Sequence, residues 1–355
     1  MAGRVLLAQT SFLGDVVLST ALARVIRAAR PDWEVWWVVR PEAVPLLTPG
    51  FPAVRVIPFD KRRNDGGLAG LLRLGARLEV LGFDAAVGVQ RSLRTAALLA
   101  RARIPLRVGH AGSPGAWLYH RRIASRAGHA RDRLVGLAQG LGIELPVEAP
   151  SPHLDVDRAA AERVAARLAA AGVTDGGALL VVAPGSAWAT KQWPAERFGE
   201  AAARLAEAEG ARVVVIGTAR DRGLAQRIAG RVAAHGGAPI VDATGETTIA
   251  DAVAWIARAR LTLANDSAPA HIAAALGRPV VTLFGPTVPA QGFAPVGRRV
   301  RIVERTLGCR PCSRHGGVRC PIGTHECLAE LPAADVEAAG RALLDGSRAA
   351  GRANP

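Results

Sequence analysis

Short apolar runs alternate with longer amphipathic ones along nearly the whole chain, and that alternation is the strongest constraint on the fold. Arg4 to Gln9 reads as a strand. A glycine-containing loop, Thr10 to Asp15, leads into helical periodicity over Val16 to Ala29, closed by Pro31. Glu34 to Val39, Val54 to Ile57 and Ala85 to Val89 read as further strands, with helical patterns around Leu68 to Leu81 and Ser92 to Ala102. After a break the alternation resumes with a helix over Arg158 to Ala171. Strands follow at Leu179 to Ala183, Arg212 to Ile216, Pro239 to Val241, Leu261 to Ala264 and Pro279 to Phe284. Helices lie near Glu196 to Ala208, Arg222 to Ala234, Ile249 to Ala257 and Ala268 to Leu276. Strands alternating with helices build parallel sheets covered on both faces. The expected class is α/β, with two doubly wound halves.

The break lies between Leu145 and Asp157. The segment "LPVEAPSPHLDVD" carries three prolines and no clear period, although His153 to Val156 reads as an extended strand. At 355 residues the chain is long for one core. The expected division is residues 1–150 and 151–332, then a terminal helix over 333–346 and a flexible arginine-rich tail over 347–355. Two such domains leave a cleft. In open α/β sheets ligands bind beyond the carboxyl ends of the strands, so chemistry is sought where strands end.

The formal charge is +15, and all but two of the 45 basic residues are Arg; the exceptions are Lys61 and Lys191. That balance favours phosphates or an anionic membrane face. Aromatics are only 4% and no basic block is interleaved with them, which argues against nucleic-acid binding. No stretch approaches the roughly 18 apolar residues that span a bilayer. Met1 to Gln9 lacks the layout of a signal peptide. The expected location is the cytoplasm, with attraction of Arg to the inner leaflet.

Three strand ends carry candidate chemistry. In "QTSFLGDVVLSTAL", Asp15 opens a helix, either as a carboxylate set against the helix dipole or as a general base. In "APGSAWATKQWP", the turn at Pro184, Gly185 and Ser186 offers N–H groups and a hydroxyl to an anion. Lys191 follows, a compact ammonium in a chain that otherwise uses Arg, suited to a phosphate oxygen. Trp188 and Trp193 read as loop packing. In "LTLANDSAPAHIAAALGRPVVTLFG", a strand meets a helix at Asp266, Ser267 and Ala268. Free N–H groups at a helix start suit phosphates; equally, Asp266 is a good N-cap and His271 a satisfied helical histidine.

All four cysteines lie within one segment: Cys309, Cys312, Cys320 and Cys327. In a cytosolic chain they are not expected to form a disulfide framework. They read either as a tetrahedral zinc site or as thiols without metal. No GxxxxGK[ST] loop, HExxH, GxSxG or GxGxxG is present, and the last absence counts against a dinucleotide oxidoreductase.

Together "SFLGDVVLSTAL", "PGSAWATKQWP", "ANDSAPAHIAAALGRPVVTLFGPT" and "CRPCSRHGGVRCPIGTHECL" resemble glycosyltransferase family 9, the ADP-heptose:lipopolysaccharide heptosyltransferases, and most closely the heptosyltransferase II branch. The likeness runs from about Arg4 to Leu344. It implies a GT-B fold, two Rossmann-like domains facing across a cleft, the first holding a lipid A-linked core oligosaccharide and the second ADP-heptose. The last helix would pack back toward the first domain. The implied reaction inverts the anomeric centre without a catalytic metal and transfers L-glycero-D-manno-heptose to heptosyl-Kdo2-lipid A.

Carried onto this chain, the resemblance makes Asp15 the base. It assigns Ser186, Lys191, Ser267 and Ala268 to the donor diphosphate, and Gly185, Asp266, His271 and Asp221 to donor sugar or nucleotide. It implies a monomer that meets the inner membrane peripherally, with no required cofactor and zinc at most structural. Two alternatives stand beside it. One is a family 9 transferase using another nucleotide sugar or core acceptor. The other is a non-catalytic nucleotide-sugar-binding protein.

Overall fold

The computed structural model describes residues 3–352 apart from 53–54, 62, 64, 126 and 175; of residues 346–352 it describes the backbone. The chain divides into two compact units, Met1–Asp155 and Val156–Pro355, within the proline-bearing segment.

The first unit runs β1 (Arg4–Gln9), α1 (Leu13–Ala29), β2 (Glu34–Val39), α2 (Val44–Leu47), β3 (Val56–Pro58), α3 (Gly67–Leu81), β4 (Ala85–Gly88), α4 (Leu93–Arg101), β5 (Leu106–His110), β6 (Arg121–Ile123) and α5 (Ala130–Val135). The second runs α6 (Arg158–Ala170), β7 (Leu179–Ala183), α7 (Ala195–Glu209), β8 (Arg212–Val215), α8 (Arg222–Ala234), β9 (Val241–Asp242), α9 (Ile249–Arg258), β10 (Leu261–Asn265), α10 (Ala268–Ala275), β11 (Val280–Phe284), β12 (Val300–Glu304), α11 (Glu326–Ala329) and α12 (Ala333–Arg352).

Each unit holds a six-stranded parallel sheet. The orders are β3-β2-β1-β4-β5-β6 and, read the same way, β9-β8-β7-β10-β11-β12. In both, the chain starts mid-sheet, walks to one edge, returns and walks to the other, which is the Rossmann order. The reversal falls between β1 and β4 in the first sheet and between β7 and β10 in the second. The inner strands are apolar on both faces, as a sheet with helices on each side requires: all five residues of β7, of β10 and of β11 are buried.

Packing fixes the helices. α7 lies between α8 and α12, and its Phe198 meets Trp193 edge to face at 4.8 Å in a core shared with Leu205, Leu283 and Val336. Trp193 is therefore a core residue, and its indole N–H donates to the Leu331 carbonyl at 3.1 Å. α12 packs on α7, β11 and β12 of its own unit.

Some local readings change. β5, β6 and β12 are strands that periodicity does not reveal, and β9 is Val241–Asp242 rather than Pro239 to Val241. No strand forms over His153 to Val156. Side chains of α1 serve that stretch instead: Thr20 Oγ1 accepts from the His153 N–H at 3.0 Å and Arg24 donates to the Ser151 carbonyl at 2.7 Å. Val54, read as the start of a strand, lies outside the described residues. Of the expected tail, residues 347–352 continue α12 and 353–355 lie outside the described residues.

Candidate functional site

Both sheets place polar residues where their strand order reverses. In the first unit, Thr10 just beyond β1 donates through its hydroxyl to Gln90 Oε1, just beyond β4, at 2.7 Å. Lys61 Nζ donates to the Thr10 carbonyl at 2.7 Å. The loop then turns into α1, whose N-cap position is Phe12 and whose first turn holds Asp15. The Asp15 carboxylate is half-buried and accepts from Ser11 Oγ at 2.6 Å. That bond orients the carboxylate and leaves one oxygen for a further partner.

In the second unit the corresponding bridge is Asn265. It is fully buried at the end of β10. Its Nδ2 donates to the Pro184 carbonyl at 2.7 Å, and its Oδ1 accepts from the Trp193 N–H at 3.1 Å. One amide thus ties the turn after β7 to the residue that enters α7. Between those points the chain makes a 3-10 turn, Ala189–Lys191. Lys191 Nζ reaches Asp266 Oδ2 at 2.5 Å, with the two side chains only 12% and 9% exposed. Thr287, beyond β11, donates to the same carboxylate oxygen at 2.7 Å.

Asp266 therefore does not cap a helix. The N-cap of α10 is Ser267, whose hydroxyl donates back to the Asn265 carbonyl at 3.2 Å and makes no cap bond. Pro269 at the second helical position has no N–H, so the amides at the start of α10 are those of Ser267 and Ala268. Ser186 accepts from the Trp188 N–H at 3.3 Å. His271 is buried within α10. Asp221 closes a capping box, its Oδ2 accepting from the Thr218 N–H at 2.7 Å and the Thr218 hydroxyl at 2.8 Å. The carboxylate presses so closely on Gly185 that a Cβ there would sit 2.7 Å from Oδ1. The structure thus gathers Gly185, Ser186, Lys191, Asp221, Asp266, Ser267 and Ala268 at one end of the second sheet, with Asp15 at the equivalent end of the first.

The cysteines divide differently. Cys312, Cys320 and Cys327 line a cavity of about 230 Å³ together with Thr190 and His325; as whole residues Cys309 and Cys312 are exposed, Cys320 is half-buried and Cys327 is buried. Burial pushes the Cys312 and Cys327 thiols up, with the neighbouring Cys320 adding to it. Burial acts on Cys320 in the same sense, but the N–H groups of His325, Ile322, Gly323 and Thr324 outweigh it and bring that thiol below its ordinary value. Among the described residues no three His, Cys, Asp or Glu side chains are gathered to hold a metal ion, so the zinc reading of the four cysteines finds no site. Among the same residues no helix is long and apolar enough to cross a membrane.

Sequence reasoning missed Thr287 and Thr190; it noted Asn265 at a strand end and His325, with His315, among the cysteines, without these roles for either. All four stand inside quoted motifs; Asn265 ends a strand and Thr287 follows one, so position relative to a strand end was the available signal for those two.

The profile of glycosyltransferase family 9 (heptosyltransferase) matches residues 71–319. Lipopolysaccharide heptosyltransferase 1 of Pseudomonas aeruginosa is 31% identical over 324 residues, covering 87% of this chain and 86% of its own. The structure of Escherichia coli ADP-heptose lipopolysaccharide heptosyltransferase II superposes with a TM-score of 0.78 at 24% identity, over 97% of this chain and 99% of that one. That of E. coli heptosyltransferase WaaC with ADP-2-deoxy-2-fluoro heptose gives 0.69 at 25% identity, over 94% and 98%. Two Rossmann-ordered units, polar clusters at both strand-order reversals and these likenesses lead to one conclusion: the chain belongs to glycosyltransferase family 9, the heptosyltransferases, and has the GT-B fold of that family.

Proposed function

We propose that this enzyme transfers L-glycero-D-manno-heptose from ADP-heptose to heptosyl-Kdo2-lipid A, with inversion, in lipopolysaccharide core synthesis. The observation that carries the reading is the Lys191–Asp266–Thr287 cluster beside the amides of Ser267 and Ala268, at the strand-order reversal of the second sheet. An ammonium has three donors. Asp266 takes one of them, which leaves two for diphosphate oxygens and fixes the direction in which they point.

In this reading Asp15 accepts the proton of an acceptor hydroxyl as that oxygen bonds to the anomeric carbon. The bond from that carbon to the β-phosphate oxygen breaks, and ADP leaves with the electron pair. Lys191, Ser186 and the first amides of α10 hold the charge that develops on the diphosphate, which commonly supplies a large share of catalysis. Asp266 and His271 serve the donor sugar and Asp221, with Gly185, the nucleotide side. The counter-charge comes from the chain itself, so the reaction needs no metal. The lipid-linked acceptor is met by a monomer at the cytoplasmic face of the inner membrane, where excess arginine favours anionic headgroups.

The test is ADP release from ADP-L-glycero-D-manno-heptose with heptosyl-Kdo2-lipid A, with and without a chelator. Acceptor-dependent release, unaffected by chelation and abolished in Asp15→Ala while ADP still binds, is the expected result. Turnover of UDP- or GDP-sugars in preference would overturn the donor. Normal turnover in Asp15→Ala would remove the base.

A further inference from the structure

The segment that carries the cysteines is fastened to the donor site at two points. On one side Arg310 donates to the carbonyls of Thr287, at 2.8 Å, and of Phe284, at 3.3 Å, and pairs with Glu304 at 2.6 Å. Thr287 is the residue whose hydroxyl engages Asp266. On the other side the segment grips Thr190, the residue before Lys191. Gly317 N–H donates to Thr190 Oγ1 at 2.8 Å, and the Gly317 carbonyl accepts from the Thr190 hydroxyl at 3.0 Å and from its N–H at 3.1 Å. His325 Nε2 donates to the Thr190 carbonyl at 2.7 Å; a carbonyl only accepts, so the proton is on Nε2.

Between these bonds the segment touches Lys191 itself. Gly316, at φ +97°, packs so that a Cβ would lie 2.8 Å from Trp188 Cβ and 3.1 Å from Lys191 Cγ. Ser313 fixes that turn by accepting from the Gly316 N–H at 2.8 Å. The result is a closed ring: Lys191 to Asp266 to Thr287, through Arg310 and the cysteine segment, back to Thr190 and Lys191. Thr190 is buried and all its backbone and hydroxyl bonds named here go to this segment.

We infer that Thr190 and His325 are positioning residues for Lys191, and that the cysteine-bearing segment is the brace that aims its ammonium at the donor diphosphate. The inference rests on the proposed role of Lys191 in holding that diphosphate. A lysine has several rotatable bonds, and aiming it costs entropy unless the backbone and stem are already fixed. Four bonds on Thr190 and a glycine against the stem meet that requirement.

The test is ADP affinity by calorimetry, with donor KM and kcat, in Thr190→Val, Thr190→Ser, His325→Ala and His325→Gln, each alone and with Lys191→Ala. Thr190→Val and His325→Ala should each weaken ADP about tenfold, in line with the loss of well-ordered hydrogen bonds. Thr190→Ser and His325→Gln, which keep a hydroxyl and an N–H donor, should restore most of it. In the Lys191→Ala background the same changes should have no further effect, because residues acting through one group are not additive. Additive losses, or no loss in chains whose unfolding temperature is unchanged, would overturn the inference. An unchanged ADP affinity in Lys191→Ala alone would instead remove the role of Lys191, and the inference with it. Should Thr190→Val fail to fold, the His325 pair still decides.

Discussion

Lys191 and Asp266 neutralise each other at 2.5 Å in a nearly buried pair, and this sets opposite expectations for removing either charge. Removing one partner of such a pair leaves the other uncompensated and typically costs about 3–5 kcal/mol. In Asp266→Asn the ammonium keeps its place but loses its counter-ion, so a diphosphate becomes its main anionic partner. The stabilisation by ADP, read as the shift in unfolding temperature at fixed ligand concentration, should be larger than in the parent chain. In Lys191→Met the shift should shrink, because the carboxylate now repels the phosphates. A shift that grows in both variants, or shrinks in both, relative to the parent chain would mean that Asp266 and Lys191 do not share the donor. A second residue-scale expectation concerns His110, buried at the end of β5. Burial, then Arg91 and Arg133, lower its pKa from 6.5 to about 4. The unfolded chain takes up this proton first, so the stability from neutral His110 is complete above pH 6.5, falls as pH drops toward 4, and levels off below that. The loss should reach at most about 3 kcal/mol. Denaturant unfolding at several pH values should find this slope in the parent chain and a flatter one in His110→Gln.

Legibility in the sequence varied with how each element is stabilised. β1, β2 and β7 were readable to the residue because each holds an unbroken apolar run (Val5 to Ala8, Val35 to Val39, Leu179 to Ala183) buried on both faces. β6 and β12 are edge strands with no buried residue, and Arg121, Arg122 and Arg301 sit in them. Edge strands need no apolar run and are often charged, so pattern alone does not mark them. The site divided in the same way. Asp15 and Asp266 stood out because each follows a strand, and Lys191 because it is a lysine in a chain that otherwise uses Arg. That Asp266 would meet Lys191 rather than cap α10, and that Thr190 would be held from residue 317, are facts of tertiary contact with no local signal. β5 also frames an element-scale expectation. Tyr119 lies against the backbones of Gly88 on β4 and Gly109 on β5. Its hydroxyl is buried without a hydrogen-bond partner among the described residues, and burial pushes its pKa up to about 12. An unsatisfied buried hydroxyl is a cost, so Tyr119→Phe should be neutral or stabilising by up to about 1 kcal/mol. A destabilisation of that size or more in chemical denaturation would mean that the hydroxyl has a partner.

At the scale of the whole molecule, the two units repeat one topology and put different chemistry at the same place in it. The reversal in the first sheet carries a carboxylate, Asp15, held by Ser11. The reversal in the second carries an ammonium and the start of a helix. A carboxylate suits the removal of a proton, and the cationic end suits a diphosphate. If the units divide the substrates in this way, each ligand should leave its mark on one of them. In hydrogen exchange followed by mass spectrometry, ADP alone should slow the amides of residues 184–191 and 265–271 and leave residues 10–15 at their original rate. Slowing there reflects both direct shielding and the lower opening rate of a liganded loop. Lys191→Met should erase most of that protection. A chain in which ADP protects residues 10–15 as strongly as 184–191, and still does so in Lys191→Met, would hold its nucleotide through the first unit. The assignment of donor and acceptor to the two sheets would then have to be exchanged.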